Sequence, residues 1–166
     1  MRSSAGDAII RADLALTVVF AASAVYAAVV FDTTAQWVGA ATAMTLFAIG
    51  VFAFLWSYWA AVQRSRTSEI AVSQLYLLLG PAIPGPVKRV LLGALTVQFL
   101  VALITTFARP DGPDGGAGSS LAVGFLVPML GFGLNGLWAS RHATFDVRAE
   151  AVRESAAPIG QNAEHG

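Results

Sequence analysis

Four long apolar runs dominate the pattern of hydrophobic and polar positions along the chain. They cover residues 14–31, 37–62, 87–108 and 121–139. An α-helix crosses the roughly 30 Å hydrocarbon core of a bilayer in about 20 residues, so each run is long enough for one crossing. The second run is the longest and is expected to tilt or to protrude at one end. The pattern predicts an all-α membrane protein, with four transmembrane helices in an antiparallel bundle that forms one domain over residues 1–148.

Composition supports the same class. The chain has 166 residues, of which 56% are hydrophobic and only 12% are charged, and its mean hydropathy is +0.66. A soluble domain has about 25% charged residues, so this chain would lack the charge to cover a soluble surface. The net charge is +0, and no nucleic-acid partner is expected. The absence of Cys excludes disulfides, thiolate metal sites and cysteine nucleophiles.

The basic residues are divided unequally between the two sets of connections. Nine of the ten precede the first run, lie between the second and third, or follow the fourth, and only Arg109 lies on the other side. Lys and Arg near span ends are retained in the cytoplasm, so both termini and the 63–86 connection are expected there, in a bacterial plasma membrane. Five of these residues either contact anionic lipid headgroups or only determine the topology: Arg64, Arg66, Lys88, Arg89 and Arg141.

A secretory signal peptide is the alternative interpretation of the first run. Small residues at Ala22, Ala24 and Ala28 resemble those of a cleavage site. Against cleavage, the segment before the run contains Asp7 and Asp13, and the run is longer than the apolar region of most signal peptides. We expect the first run to be retained as a span, with Asp13 in the polar lead-in before it.

The 63–86 connection is expected to be the most structured segment outside the spans. Thr67 or Ser68 can cap a short helix that continues to about Leu79, where a stretch rich in Gly and Pro stops it. This 68–79 helix is too short to cross a bilayer and is either interfacial or partly re-entrant. Its polar first turn and the basic pair that follows it favour the interfacial position.

Two further segments outside the runs are expected to carry little structure. The 109–120 connection is rich in Gly, Pro and Asp and predicts a hydrated external loop. The chain after Ala139 is expected to continue as a short helix that includes Phe145. Residues 149–166 are polar and are predicted to form a disordered cytoplasmic tail.

None of the four runs contains an Asp, Glu, Lys, Arg or His at mid-depth. Such residues mark proton relays and substrate sites, and small proton-coupled exporters with four spans need a carboxylate inside the membrane. Proton-coupled transport is therefore not expected. His142 lies beside Arg141 at the expected headgroup level, with no carboxylate or Cys nearby to complete a metal site. Ser140 belongs to no nucleophile elbow, and we expect neither a cofactor nor enzymatic activity.

The polar side chains that remain inside the runs include Gln98, near the middle of the third, and Asn135 in the fourth. Both amides are expected to form hydrogen bonds to neighbouring helices, worth about 0.6–2 kcal/mol each. One interpretation is that these bonds only hold the helices together. The other is that the two side chains line a solute path.

The fourth run is the most irregular of the four. Pro128 is expected to bend it and to leave the carbonyl of Gly124 without its helical partner. Gly131, Gly133 and Gly136 then allow another helix to approach closely. This stretch is either a packing seam against this chain or a partner, or a broken helix that lines a site.

Three segments carry a resemblance to a known group of proteins: residues 65–70 (SRTSEI), 85–89 (GPVKR) and 135–142 (NGLWASRH). They resemble small, uncharacterised four-helix membrane proteins of actinobacteria over about residues 10–148. The resemblance implies the four-span topology and a plasma-membrane location. It carries over no activity.

Two functions remain as hypotheses. The first is an integral membrane accessory or scaffolding subunit, which packs against a larger membrane complex through its glycine-rich surface and its cytoplasmic loop. The second is a small carrier or channel for a lipid or apolar solute, not coupled to protons, with Gln98, Asn135 and the Pro128 bend along the path. Membrane lipids, and another membrane protein or a second copy of this chain, are the expected partners.

Overall fold

The computed structural model describes residues 4–116 and 118–146, and the regular elements in that part are all helices. In chain order they are α1 (Ser4–Val30), α2 (Thr33–Arg64), α3 (Val72–Tyr76), α4 (Gly85–Ala108), a 3₁₀ helix (Ser120–Leu126) and α5 (Pro128–His142). Four helical segments are long and apolar enough to cross a membrane, and the 3₁₀ helix and α5 together form the fourth of them. The predicted all-α class and the four apolar helices are confirmed.

The surface of the bundle is apolar, whereas its interior contains small and polar residues. Large apolar side chains are exposed on all four spans, among them Val18, Trp37, Phe107 and Phe125; Trp37 and Phe107 are 71% and 75% exposed. A water-soluble domain has the opposite distribution of residues. The observed distribution fits a lipid solvent, in which helices associate through close packing and hydrogen bonds rather than through burial of large apolar groups.

The fourth span is the most enclosed of the four. α1 packs between α2 and α4, and the fourth span contacts all three of these helices. Of its most apolar window, 56% is buried, against 28–33% for the other three spans. The other three helices each keep an exposed apolar face, whereas nearly every face of α5 meets protein.

Small residues allow α2 and α5 to pack closely. The buried positions of α2 alternate in steps of three and four residues along one face, and most are small: Gln36, Gly39, Ala43, Leu46, Gly50, Ala53 and Ser57. This period of 3.5 is the one that keeps two crossing helices in contact over many turns. At the crossing, a Cβ added to Gly50 would lie 2.6 Å from the Cα of Leu130. The two backbones therefore pack against each other with no side chain between them.

The first helix begins ten residues earlier than the apolar run at 14–31 predicts. α1 starts at Ser4, because residues 4–13 include the good helix formers Ala5, Ala8, Arg11 and Ala12, and their apolar members pack against the rest of the bundle. Ile9 and Ile10, for example, pack against buried side chains of the neighbouring elements. Asp13 therefore lies within the helix, and the polar lead-in predicted to hold it does not exist at that position.

Pro128 changes the type of helix rather than only bending it. The seven residues before Val127 form the 3₁₀ helix, and Pro128 opens α5 at its first position, where no helical N–H is needed. The carbonyl of Gly124, predicted to lose its partner, instead accepts a hydrogen bond of 3.0 Å from the N–H of Val127. The tighter 3₁₀ turn replaces the bond that proline removes.

The helix in the loop between α2 and α4 is shorter than predicted. Instead of covering 68–79 it spans only Val72–Tyr76, and Ala71 rather than Thr67 or Ser68 precedes it. The residues before it form a turn after α2, and the N–H of Glu69 bonds to the carbonyl of Asp146. After α3 the chain turns back through a positive φ at Leu78, whose side chain is fully buried in the end of the bundle.

The chain after α5 is extended rather than helical. α5 ends at His142, and the N–H of Thr144 donates to the carbonyl of Ala82, 3.1 Å away. The expected helical continuation through Phe145 is therefore wrong, because this segment pairs with the α3 loop. The predicted tail, 149–166, lies outside the described residues. We refer to the end formed by the 65–84 loop and residues 143–146 as the loop end.

Candidate functional site: a buried polar site between α1 and α4

Asp13 is a fully buried carboxylate inside the first span. Its Oδ1 accepts a hydrogen bond from the side-chain amide of Gln98, at 3.4 Å, and the same amide donates to the hydroxyl of Thr17 at 2.7 Å. Gln98 is also fully buried and lies near the middle of α4. We refer to Asp13, Thr17 and Gln98 as the polar site.

The polar site overturns the expectation that no ionisable side chain lies at mid-depth in the spans. That expectation placed Asp13 one residue before the first apolar run, in the lead-in. The helix continues through it, and the packing of α1 on α4 places its carboxylate opposite the middle of the third span. The prediction of no proton coupling loses its basis, because an ionisable group at this depth is a functional-site hypothesis by default.

α5 closes the polar site on a second side. A Cβ added to Gly131 would lie 2.8 Å from Oε1 of Gln98, so glycine leaves the space that the amide occupies. Towards the loop end, a Cβ on Gly6 of α1 would lie 3.3 Å from both Nε1 of Trp138 and Cδ2 of His142. These contacts define an antiparallel register in which Asp13 lies at the level of Gly131, and Gly6 lies at the level of Trp138.

Three polar side chains of α5 continue from Gly131 to the loop end. Asn135, Trp138 and His142 follow it at steps of four, three and four residues, which places them on one face of the helix. The Trp138 and His142 rings are stacked, with centroids 5.5 Å apart. We refer to these three residues as the polar row. It runs beside α1 from the level of the polar site to the end of α5.

Asn135 also connects α5 to the loop. Its amide donates to the backbone carbonyl of Tyr76 at 3.1 Å, and the Tyr76 ring packs where a Cβ on Gly136 would lie, 2.6 Å from Cε1. Burial raises the pKa of the Tyr76 phenol above its usual value near 10, so the ring remains a neutral group against Phe54 and Ser57. Asn135 thus fixes α3 on the bundle.

Buried polar atoms without a protein hydrogen-bond partner are concentrated around these residues. Of the five such side-chain atoms in the described part of the chain, four belong to the polar site or the polar row: Asp13 Oδ2, Gln98 Oε1, Asn135 Oδ1 and Trp138 Nε1. The fifth is Nε2 of Gln36, near the opposite end. An unpaired polar group in an apolar interior is costly, and a cluster of them calls for an explanation.

Between the polar site and the opposite end, the interior of the bundle is packed with apolar side chains. Phe20, two turns beyond Asp13 in α1, fills the space at Gly124, where a Cβ would lie 3.3 Å from its ring and 3.7 Å from Ala102. Val127 and Leu130 of the fourth span are fully buried in the same cluster. We refer to Phe20, Ala102, Val127 and Leu130 as the apolar cluster.

The glycines of α5 face different neighbours. Gly131 meets Gln98 and Leu95 of α4, whereas Gly133 lies against the carbonyl of Gly50, and a Cβ added to Gly133 would lie 3.1 Å from the Ala53 Cβ. Gly136 lies beside Ser57 and Tyr76. All three glycines therefore contact other residues of this chain.

The basic residues at the loop end do not share one environment. Arg64 donates to the carbonyls of Ser140 and Ala143, at 3.1 and 2.8 Å, and its guanidinium lies over the Phe145 ring. It thus binds the C-terminal end of α5, a contact that its expected roles at headgroups or in topology did not include. Arg66, Arg89 and Arg141 are exposed, and Lys88 is half-buried.

A smaller polar cluster closes the opposite end. Oε1 of Gln36 accepts hydrogen bonds from the hydroxyls of Ser119 and Ser120, which open the 3₁₀ helix. Arg109 donates to the carbonyl of Ala28, 3.2 Å away, and covers the Phe31 ring. Sequence reasoning did not single out Gln36, and its place at the start of the second run was the available signal.

The chain offers no additional basis for a metal or for an assignment by similarity. Among residues 4–116 and 118–146, no group of three or more His, Asp or Glu side chains is arranged to hold a metal ion. Comparisons with protein-family models, curated proteins and solved structures found no match to this chain. The polar site is therefore the feature of this chain that bears most directly on its function.

Proposed function

We propose that this protein is a small multi-pass membrane carrier whose solute binds at the polar site. The observation that supports this proposal is the Asp13 carboxylate, which is fully buried at the level of the middle of α4 and accepts a hydrogen bond from the neutral amide of Gln98. An ionisable side chain in that position is expensive to maintain and ordinarily belongs to a path for ions or solutes.

The surroundings of the polar site favour an apolar or amphipathic solute that carries a positive charge or a hydrogen-bond donor. The carboxylate has Gln98 as its protein hydrogen-bond partner, and its Oδ2 has none. The neighbouring side chains on one side are apolar, because Leu95 lies beside Gln98 at Gly131 and the apolar cluster follows towards the opposite end. A lipophilic cation complements both properties.

The orientation in the membrane is part of this proposal. The basic residues of the loop end, with Arg66, Arg89 and Arg141 exposed, support a loop end on the cytoplasmic side of a bacterial plasma membrane. The Gly115 loop would then lie outside. Because the chain has no Cys, single cysteines at Ser65 and Gly115 can be labelled from outside intact cells, and labelling at Ser65 would contradict the orientation.

Binding of a lipophilic cation tests the carrier. We expect the detergent-solubilised protein to bind tetraphenylphosphonium saturably by equilibrium dialysis, and Asp13→Asn to weaken that binding about tenfold or more, because a buried charge partner is lost. Asp7→Asn is the matched control, since Asp7 lies on the same helix but is only half-buried. Equal binding by the Asp13 and Asp7 variants would contradict the proposed site.

An accessory or scaffolding subunit is the second candidate. One argument for this candidate is lost, because the α5 glycines contact residues of this chain. The loop end supplies another argument. Val72, Leu77 and Leu79 are exposed there, outside the spans, and Val72 lines an open, largely apolar pocket of about 160 Å³ between α2 and the start of α3. Purification in mild detergent from cells at native abundance, followed by mass spectrometry, tests it. A stoichiometric membrane complex that Val72→Ser disrupts would favour this candidate over the carrier.

A further inference from the structure

We infer that Asp13 is a proton-binding site that exchanges its proton with the loop side of the membrane only, along the polar row. The inference rests on the proposed function in that both use the polar site. It names the species that the carrier exchanges there and the side from which that species arrives.

The first step is the need for a hydrogen-bond donor at the polar site. Oδ2 of Asp13 and Oε1 of Gln98 are both buried acceptors without a protein donor. A proton that binds to Oδ2 converts the carboxylate into a carboxylic acid, whose O–H is a donor, and its release restores the carboxylate. The proton comes from a hydronium ion or another acid on the loop side, whose bond to it breaks as the O–H bond forms, and on release it returns to water.

The second step is the asymmetry of the packing on the two sides of Asp13. Towards the loop end, the indole of Trp138 and the imidazole of His142 lie against α1 at Gly6, and Asn135 lies on the same face of α5 between them and the level of Asp13. Asn135 keeps an unpaired acceptor, Oδ1, and Trp138 an unpaired donor, Nε1, and each can bond a water molecule. His is one of the residue types that form proton relays within membranes, so water bonded to Asn135 and Trp138 would connect His142 to Asp13.

The opposite direction lacks these groups. From Asp13 towards the external loop, α1 presents Phe20, Ala24 and Ala27, all buried, and the apolar cluster fills the space between α1, α4 and the fourth span. Beyond Thr17, the buried polar side chains in that direction are Thr105 of α4, whose hydroxyl donates to the carbonyls of Val101 and Ala102 in its own helix, and Gln36 and Ser119 at the far end. Between Thr17 and that end, water and protons thus meet apolar packing and one hydroxyl that is bonded within its helix, whereas the loop side of Asp13 has the polar row.

The charged and titratable groups around Asp13 are distributed in the same way. Apart from the exposed Tyr26, and from Asp32 and Arg109 at the opposite end, those on α1 and on the elements packed against it lie nearer the loop end than Asp13 does: they are Asp7, Arg11, Tyr58, Arg64, Lys88, Arg89, Arg141 and His142. The 3₁₀ helix has none. Of this set, His142 lies against α1, at Gly6, and forms the end of the polar row.

Infrared spectroscopy of the wild-type protein tests the proton-binding step. The C=O stretching band of a protonated carboxyl group reports Asp13 directly, and Asp13→Asn removes it, whereas Asp7→Asn leaves it in place. We expect this band to disappear in a single transition as the pH is raised, falling about tenfold per pH unit above the midpoint, as for one site. A band that is absent or constant across the pH range would overturn the inference.

Substituted cysteines test the side of access. Because the natural chain has no Cys, Asp13→Cys or Thr17→Cys provides one thiol at the polar site, and a small membrane-impermeant methanethiosulfonate can be added on either side of oriented vesicles. We expect reaction at least about tenfold faster from the loop side. Ser65→Cys and Gly115→Cys calibrate the two sides, and Ala102→Cys, which is inside the apolar cluster and leaves the Phe20 ring in place, should react from neither.

The outcomes separate this inference from the proposed function. Reaction of both polar-site cysteines from the Gly115 side, or from neither side, would overturn one-sided access. A titrating Asp13 band with loop-side access, but without tetraphenylphosphonium binding, would support the proton site and reject the carrier of lipophilic cations. Thr17→Cys keeps Asp13, so a failure of Asp13→Cys to fold does not remove the test.

Discussion

The loop-side and opposite halves of this bundle pack the same four spans with different chemistry. In the loop-side half, α1 meets α4 and α5 through Asp13, Gln98 and the polar row. In the opposite half, the same helix meets α4 and the 3₁₀ helix through Phe20, whose ring fills the space that Gly124 leaves open. In the proposed carrier, the apolar half would be the closed side of the polar site, and the polar half would be the side from which it is reached.

The two ends resemble each other more than the two halves do. At each end an arginine from a different part of the chain bonds the C-terminal carbonyls of a helix and lies over a phenylalanine: Arg64 for α5 with Phe145, and Arg109 for α1 with Phe31. A cation at a helix C-terminus offsets the partial negative charge of the unpaired carbonyls. Four predictions sharpen or break the comparison.

The largest effect is expected at the centre of the apolar cluster. Phe20→Ala removes a fully buried ring and should lower the free energy of unfolding by about 3 kcal/mol or more. It should also admit the thiol reagent to Thr17→Cys from the Gly115 side, because the ring is what closes that direction. Denaturant titration in detergent and two-sided labelling measure the two effects. Labelling that stays one-sided would show that Phe20 is not the closure.

The next largest effect is expected at the glycine where α2 crosses α5. Gly50→Ala should destabilise the bundle by about 1–3 kcal/mol, because its Cβ would collide with the backbone of Leu130. Gly93→Ala is the matched control, since its Cβ would meet nothing within 4 Å, and it should stabilise α4 by up to about 1 kcal/mol. Thermal unfolding followed by circular dichroism gives both values. Shifts of the same sign would contradict the close α2–α5 crossing.

A smaller effect is expected where the polar row meets the loop. Asn135→Leu removes the hydrogen bond to the Tyr76 carbonyl and should cost about 1–2 kcal/mol. The loss should appear locally, as faster amide hydrogen exchange in α3, because that carbonyl holds the loop on α5. Gln36→Leu, at the opposite end, is the control and should leave exchange in α3 unchanged.

The smallest effect is expected at the two arginines. Arg64→Gln and Arg109→Gln should each lower stability by about 0.5–1 kcal/mol, through the loss of a helix-terminal cation. Arg66→Gln should change nothing measurable, because Arg66 is exposed. Unfolding midpoints of the three variants provide the test. Equal losses at Arg64 and Arg66 would mean that the C-terminal contact of α5 contributes no stability.

Hydropathy was sufficient for the four apolar helices but not for their ends. The third run, 87–108, matches α4 to within two residues, because the Gly-Pro stretch before it and Arg109-Pro110 after it interrupt the pattern. The first run was truncated at its start because Asp7, Arg11 and Asp13 lower the local hydropathy. In α1, Arg11 lies on an exposed face and Asp13 on a buried face. A hydropathy average along the chain does not distinguish the two faces.

The candidate site was recovered in part. Gln98 and Asn135 were selected as polar groups inside the spans, and both are buried and hydrogen-bonded to another element. Asp13 was missed as part of a site, although its position one residue before the first apolar run was a signal. Glycine content alone could not assign the neighbours of Gly131, Gly133 and Gly136, since the same residues suit an internal crossing and a partner interface.

What the sequence determined by itself is the class of the protein: four apolar helices of the right length, with basic residues concentrated on one side, follow from composition and periodicity alone. The tertiary structure decided which polar groups meet. Asp13 and Gln98 are 85 residues apart in sequence and come together only because α1 packs on α4 with Gly131 behind them. Hydropathy is a sum over neighbours along the chain, whereas a buried site depends on the register between helices.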